Sequence, residues 1–469
     1  MSFFSRKKEV SINKTVFFNI LSVVLLQGIS FLSAPIFTRM LGANQYGDYG
    51  MFNAWTAVLS SFMGLSVGSA IGTGMYEFKE DYLRYRNSVY LLGVLVSGII
   101  TFVIIVFKGI ICQIIHYPEW MVVLMPVYSM SGFMIGYVQT SLVYEKRPNI
   151  NFFISLLISL STVIVSLVLV TCFPVNERYI GRIIGASVPQ ILIAFIAGIF
   201  FFLKKPAGYN KRYWNFAIAL GLPIVFHILS QRILTQSDRI MMEQLAIGKA
   251  EIGIYTVFYS FASVLNIILS ALNTSWAPFY YGYLDEEDDA KLNSKSKNYI
   301  ELMTVLSCGF VLLSKEVGRI YAGEEYYSGI GVIPLLVLSV YFTFMYQFPV
   351  NFEMFHKKTN SVAVGTVMAA TANVIMNALL IPPYGMYGAA VATAISYALL
   401  FMFHYINVKY CMKEVFHLDL ARFCLPICVL ILCIVLFYLI DSMWYIRWII
   451  GALIGLFELV RVYKRRSIF

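Results

Sequence analysis

Apolar residues run along this chain in blocks of about twenty, separated by short polar stretches. About fourteen such blocks follow one another: 16–37, 51–72, 88–107, 121–143, 152–173, 180–203, 215–237, 252–276, 299–320, 330–351, 361–382, 387–408, 423–440 and 443–462. At 1.5 Å rise per residue, a block of this length matches the roughly 30 Å hydrocarbon core of a bilayer. The pattern therefore predicts spanning helices rather than the amphipathic helices or alternating strands of a soluble domain. The first block follows Arg6, Lys7 and Lys8. It exceeds the roughly 7–15 apolar residues of a signal peptide and has no clear cleavage site, so it reads as a retained first helix. The expected fold class is an all-α polytopic membrane protein with about fourteen transmembrane helices.

Composition agrees. Of 469 residues, 59% are hydrophobic and 13% charged, against about 45–50% and about 25% in soluble domains. The net charge is +10. With an internal amino terminus and every block crossing, roughly 25 Lys and Arg fall on the inside, among them Lys79, Lys146, Lys204, Lys291, Lys357, Lys409 and Arg465, and about eight outside. That positive-inside asymmetry places both termini in the cytoplasm and accounts for the basic excess without a nucleic-acid partner. The acidic run from Asp285 to Asp289 falls in an inside loop and reads as a solvated turn. The seven cysteines lie mostly in apolar blocks, without the paired spacing of a metal site or disulfide framework, and read as packing residues.

Two stretches repeat. Leu41-Gly42, Tyr46-Gly47, Tyr49 and Phe52 recur about 206 residues later as Ile247-Gly248, Ile252-Gly253, Tyr255 and Phe258. Gly181 and Gly185-Ala186-Ser187 correspond to Gly388 and Ala392-Thr393-Ala394 at an offset of 207. Internal repeats are a common way of building transporters. The expected organisation is an N-terminal lobe of six helices (1–212), a C-terminal lobe of six (213–410), and two further helices with a basic tail (411–469). Ser60, Gly64, Gly68 and Gly72, and later Gly451 and Gly455, fall at four-residue intervals that predict close helix packing.

The seventh block carries the most unusual polarity. At 100° per residue, His227, Gln231, Thr235 and Asp238 share one stripe and Arg232, Gln236, Arg239 and Glu243 the next. A mid-bilayer charge costs about 2.5–3.5 kcal/mol on insertion scales, so the stripe should face water or protein. For Arg232 and His227 a cavity-lining position is expected. Asp238, Arg239 and Glu243 either line that cavity or end the helix at the outer interface. Asn19 and Gln27 in the first block and Arg39 just beyond it are further candidates, with Arg39 open between substrate contact and the interface. Asn266, Asn273, Gln347, Asn351, Asn373 and Asn377 add neutral amides, a surface suited to sugar hydroxyls. No phosphate-binding loop, HExxH motif or paired catalytic carboxylates occur. No catalytic residue, metal site or cofactor is therefore expected, and the chain is not expected to be an enzyme.

Asn19, Gln27-Gly28, Phe31, Pro35, Arg39, Leu41-Gly42 and Tyr46-Gly47 resemble the first-helix pattern of the polysaccharide transporter (Wzx-type flippase) family, within the multidrug/oligosaccharidyl-lipid/polysaccharide exporter superfamily. Asp238-Arg239 with Gly253-Ile254-Tyr255 resembles that family's seventh-to-eighth-helix pattern. Pro383, Gly385, Gly388-Ala389-Ala390 and Ala392-Thr393 resemble its eleventh-to-twelfth hairpin. The similarity spans most of 12–408, leaving the last two helices as a variable appendage. It implies that two lobes alternate access around a central cavity in a bacterial cytoplasmic membrane. They would move a polyprenyl-diphosphate-linked oligosaccharide to the outer leaflet for capsule, O-antigen or exopolysaccharide synthesis, alongside a polymerase and glycosyltransferases, with the prenyl tail among membrane lipids. Arg232, Arg239 and Arg39 would meet the diphosphate, since guanidinium forks suit phosphate oxygens. A drug/cation antiporter of the same superfamily is the alternative. It should carry buried acids in the N-terminal lobe, where the blocks between 16 and 203 offer Arg182 but no Asp or Glu. A membrane-embedded glycan polymerase or ligase is a third reading, disfavoured by outer loops of only about fifteen residues or fewer. Glycan and coupling ion, whether H⁺ or Na⁺, stay open.

Overall fold

The computed structural model describes residues 28–465. The amino-terminal basic residues, Asn19 and Gln27 lie outside them. All regular structure among the described residues is helical, and helix covers most of the described part of every apolar block. Nine helices there, or ten counting one bent pair, are long and apolar enough to cross a membrane. Two more, Asp289–Tyr321 and Trp444–Arg465, are long but interrupted by charges. Large apolar side chains such as Leu95, Ile99, Phe102 and Val106 point out of the protein along one helix, as a lipid-facing surface requires. The chain is a multi-pass membrane protein.

The described helices form two compact units, residues 28–33 with Met51–Arg232, and Ala34–Gly50 with residues 233–465. In the first unit, Pro148–Cys172 and Arg178–Leu203 fold into a hairpin. A Cβ at Gly181 would overlap the Leu169 backbone and one at Gly185 the Ser166 backbone, so glycine sets the spacing of the two helices. The second span is not the continuous helix that its glycine spacing predicts. Ala43–Ser60 ends, and the chain bends by 57° into Met63–Glu77. Gly64, Leu65 and Ser66 all take positive φ at the bend. Gly64 instead makes room for the Phe133 ring and Gly72 for Tyr144. An aromatic cluster of Phe78, Tyr85, Tyr213 and Phe216, with centroids 4.6 to 5.9 Å apart, packs this unit.

In the second unit, Thr359–Ile406 is two helices folded back at Gly385, whose φ of 52° follows Pro382 and Pro383. Gly388 lies against Leu380, Asn373 against Thr393, and Gly365 against His404. These pairs share one antiparallel register. The pair 373·393 here closely matches 166·185 in the first unit's hairpin at the repeat offset of 207.

The other repeat is visible as contact. Gly47 lies on the Lys249 carbonyl, and Gly253 on the carbonyl of Ala43. Offsets of 206 exchange the two partners, so Ala43–Gly50 and the start of Lys249–Ala262 pack as parallel helices about a local two-fold axis. Gly50 meets its own equivalent, Thr256.

The final two helices dock on Asp289–Tyr321. Arg447, fully buried, pairs with Glu316, to which Trp448 Nε1 also donates at 3.2 Å. Lys315 pairs with Asp441, and Arg461 meets Glu301 at 2.9 Å. These pairs show how charge-bearing helices sit in an apolar bundle: Arg447, Lys315 and Arg461 each meet a carboxylate of a neighbouring segment. The expected close backbone approach at Gly451 and Gly455 does not form. Gly451 has only Leu312 side-chain carbons nearby and Gly455 nothing within 4 Å.

Candidate functional site

Lys211–Gln244 runs through the polar stripe as one 34-residue helix with Pro223 inside it. Its residues to Arg232 belong to the first unit and those from Ile233 to the second.

Asp238 is the centre of the second unit's polar cluster. It is fully buried. Tyr255 Oη donates to Oδ2 at 2.5 Å, Thr393 Oγ1 to the same oxygen at 2.9 Å, and Asn377 Nδ2 to Oδ1 at 3.0 Å. Ser237 Oγ donates to Asn373 Oδ1 at 2.6 Å. Three helices thus converge on one carboxylate, because a buried charge must find donors where it has no water. Asn377 Oδ1 is buried and without a partner.

Arg239, also buried, closes the cluster. Its Nε donates to Thr256 Oγ1 at 3.2 Å, and Nη1 to the Thr235 carbonyl at 2.9 Å and to Gln236 Oε1 at 3.3 Å. The guanidinium lies over Tyr259, 4.3 Å from the ring centroid, a favourable cation–π distance. Of the two positions open for Asp238 and Arg239, the structure gives neither an interfacial helix end nor an open wall: both are enclosed by protein. Beside them is a cavity of about 180 Å³ lined by Thr235, Tyr259, Ser263, Asn266, Thr343 and Tyr397 among others. Its walls are neutral hydroxyls, an amide and apolar carbons.

The remaining candidates have other environments. Arg232 is exposed, and Gln231 and His227 are half-buried. Arg39 is exposed, but its Nη1 and Nη2 donate at 2.7 Å to the carbonyls of Pro35 and Ile320. Asn19 and Gln27 fall outside the described residues. The amides foreseen in the sequence divide: Asn373 and Asn377 enter the Asp238 cluster, Asn266 lines the cavity, and Asn351 Nδ2 donates to Asn273 Oδ1 at 3.3 Å between helices. Sequence reasoning did not single out Tyr255 and Thr393 as ligands of Asp238. Their signals were their places in the two repeated stretches and in the family-like patterns around Gly253-Ile254-Tyr255 and Ala392-Thr393.

A family model described as "Polysaccharide biosynthesis protein" matches residues 12–280. A protein of Haemophilus influenzae described as "Uncharacterized membrane protein" is 22% identical over 357 residues, covering 73% of this chain and 83% of that one. Among solved structures, "Lipid II flippase MurJ, inward closed conformation" superposes with a TM-score of 0.68 at 15% identity, over 96% of this chain and 99% of that chain. An inward-facing multidrug resistance MATE family transporter of the MOP superfamily follows the same fold with a TM-score of 0.60 at 12% identity, over 84% and 93%.

Proposed function

Because the chain belongs to the polysaccharide biosynthesis protein family, we propose that it is a flippase rather than an enzyme. It carries a polyprenyl-diphosphate-linked oligosaccharide from the cytoplasmic to the outer leaflet of a bacterial cytoplasmic membrane by alternating access. Both termini are cytoplasmic, and a polymerase and glycosyltransferases act before and after it. The observation that carries the reading is the polar half of the Lys211–Gln244 helix, a span apolar enough to cross a bilayer that nonetheless bears, between His227 and Glu243, two arginines, two acids and three amide or imidazole side chains. A span tolerates that content only where the groups serve each other or a polar cargo.

The three arginines divide by environment. Arg239 is enclosed by Thr235, Gln236, Thr256 and Tyr259 and acts on the shape of the site. Arg39 holds two backbone carbonyls. Arg232, exposed on the same helix as Asp238, is the one that meets the diphosphate. The hydroxyl- and amide-lined cavity beside Tyr259 supplies groups for sugar hydroxyls.

In cells whose surface polysaccharide depends on this chain, Arg232→Ala and Arg232→Gln reduce surface polysaccharide about tenfold or more at unchanged protein level, the order expected for losing a charged hydrogen bond. Arg232→Lys recovers part of it, since the charge returns without the fork. Normal polysaccharide in both neutral variants sinks the assignment of Arg232. The second reading, a drug/cation antiporter, draws on the buried Asp238 carboxylate. Drug efflux lost on deletion, with surface glycan intact, would favour it.

A further inference from the structure

A second buried acid lies away from Asp238. Glu353 is in the last turn of the Gln347–Phe355 helix and fully buried. His404 Nδ1 donates to its two oxygens at 2.9 and 3.0 Å, and Asn407 Nδ2 to Oε1 at 2.7 Å. His404 is equally buried, and its Nε2 has no partner. Gly365 closes over that nitrogen: a Cβ there would lie 2.7 Å from it.

Among the described residues, no lysine or arginine side chain bonds this carboxylate. Titratable groups on the packed elements have other positions or partners. Tyr280 donates to the Phe348 carbonyl, Tyr281 packs on Phe355, and Tyr346 stacks on His404 with centroids 6.2 Å apart. In the turn that follows, His356 Nδ1 contacts the Phe352 carbonyl, Lys357 is exposed, and exposed Lys358 touches Glu353 only through its backbone N–H, 2.8 Å from the Glu353 carbonyl. Lys409 is tied to Asp419. The pair is thus neutral when it holds one proton and carries −1 when it does not, with no fixed cation to compensate.

Asn407 connects it to solvent. It opens a five-residue π-helix, Asn407–Cys411, a distortion frequent at functional sites. It also lines a cavity of about 490 Å³ with Lys357, Lys358, Thr359, Lys413 and Glu414, residues that the positive-inside pattern assigns to the cytoplasmic side.

We propose that Glu353, His404 and Asn407 form a proton-binding site that exchanges with the cytoplasm through this cavity. In the step, a hydronium ion gives its proton to the carboxylate–imidazole pair and leaves as water; the reverse step returns the proton. Coupling that exchange to lipid movement rests on the flippase reading, whereas proton binding itself does not.

The test uses the purified full chain in lipid nanodiscs, with protons taken up between about pH 8 and about pH 5, a window that brackets the ordinary histidine range, counted by an indicator dye in weak buffer. Glu353→Gln and His404→Gln each bind one proton fewer than the wild type, and Glu353→Asp restores it. Asn407→Ala, which keeps both titrating groups, binds the same number but exchanges more slowly, and it carries the comparison if Glu353→Gln does not fold. Equal counts in wild type and Glu353→Gln, or unchanged exchange in Asn407→Ala, overturn the proposal. Proteoliposomes given a labelled polyprenyl-diphosphate oligosaccharide then separate the two readings. A wild type that titrates normally but moves no lipid overturns the flippase reading alone. Lipid movement stimulated equally by a pH gradient in wild type and Glu353→Gln overturns the coupling alone.

Discussion

Asp238 shows how a membrane protein keeps a charge it cannot expose. Three donors from Lys249–Ala262 and the two arms of the Thr359–Ile406 hairpin meet its carboxylate. Asp238→Ala strands Tyr255 Oη, whereas Thr393 Oγ1 keeps the Ala389 carbonyl and Asn377 Nδ2 keeps Asn373 Oδ1. An unpaired buried donor costs about 1–3 kcal/mol, so the variant should be destabilised by about that much. Asp238→Asn keeps an acceptor for Tyr255 and Thr393 and should lose less, although its amide then faces Asn377 Nδ2. Thermal unfolding of detergent-purified protein checks this, and an Asp238→Ala variant that melts with the wild type refutes the role given to the cluster. Half of this site was legible in the sequence. Asp238, Asn373 and Asn377 were visible as polar residues on apolar helices. That Thr393 and Tyr255 face them was not, because Thr393 lies 155 residues from Asp238 and is brought in by the hairpin, and Tyr255, 17 residues away, by the packing of the Lys249–Ala262 helix. Glu353 and His404 went unread for the same reason: 51 residues apart on separate helices, neither belongs to a motif.

Among the elements, the helical hairpins follow most directly from residue type. Pro382, Pro383 and Gly385 stop one helix and turn the chain, and small residues at 388 to 394 let the arms touch. The bend after Ser60 was not legible, since a glycine every fourth residue fits a packed straight helix as well as a chain with left-handed residues at 64 to 66. The parallel crossing of Ala43–Gly50 with the start of Lys249–Ala262 gives a sharper test. A methyl group at Gly47 or Gly253 collides with a backbone carbonyl of the other helix, which cannot move as a side chain would. Gly47→Ala and Gly253→Ala should each cost about 1–3 kcal/mol, as overpacking does. Gly136→Ala and Gly309→Ala, with nothing within 4 Å, should cost little by comparison. Unfolding temperatures and yields of the four variants measure the difference; equal losses at all four would mean that the crossing is loose.

For the whole molecule, hydropathy alone was enough to expect a multi-pass helical membrane protein. The charges within its helices needed the structure. The last two helices are bound by Arg447–Glu316 and Arg461–Glu301, and two carboxylates in the second unit, Asp238 and Glu353, are buried with polar partners and no direct Lys or Arg bridge in the ion-pair geometry. The transport claim is tested most directly with the purified chain in vesicles holding a fluorescent polyprenyl-diphosphate oligosaccharide, by following how fast a membrane-impermeant glycan-cleaving enzyme gains access to the lipid initially in the inner leaflet. The account predicts that the protected fraction becomes accessible many-fold faster than in protein-free vesicles, and that Arg232→Ala slows it at least about tenfold. A protected fraction that stays as stable as in empty vesicles would contradict it.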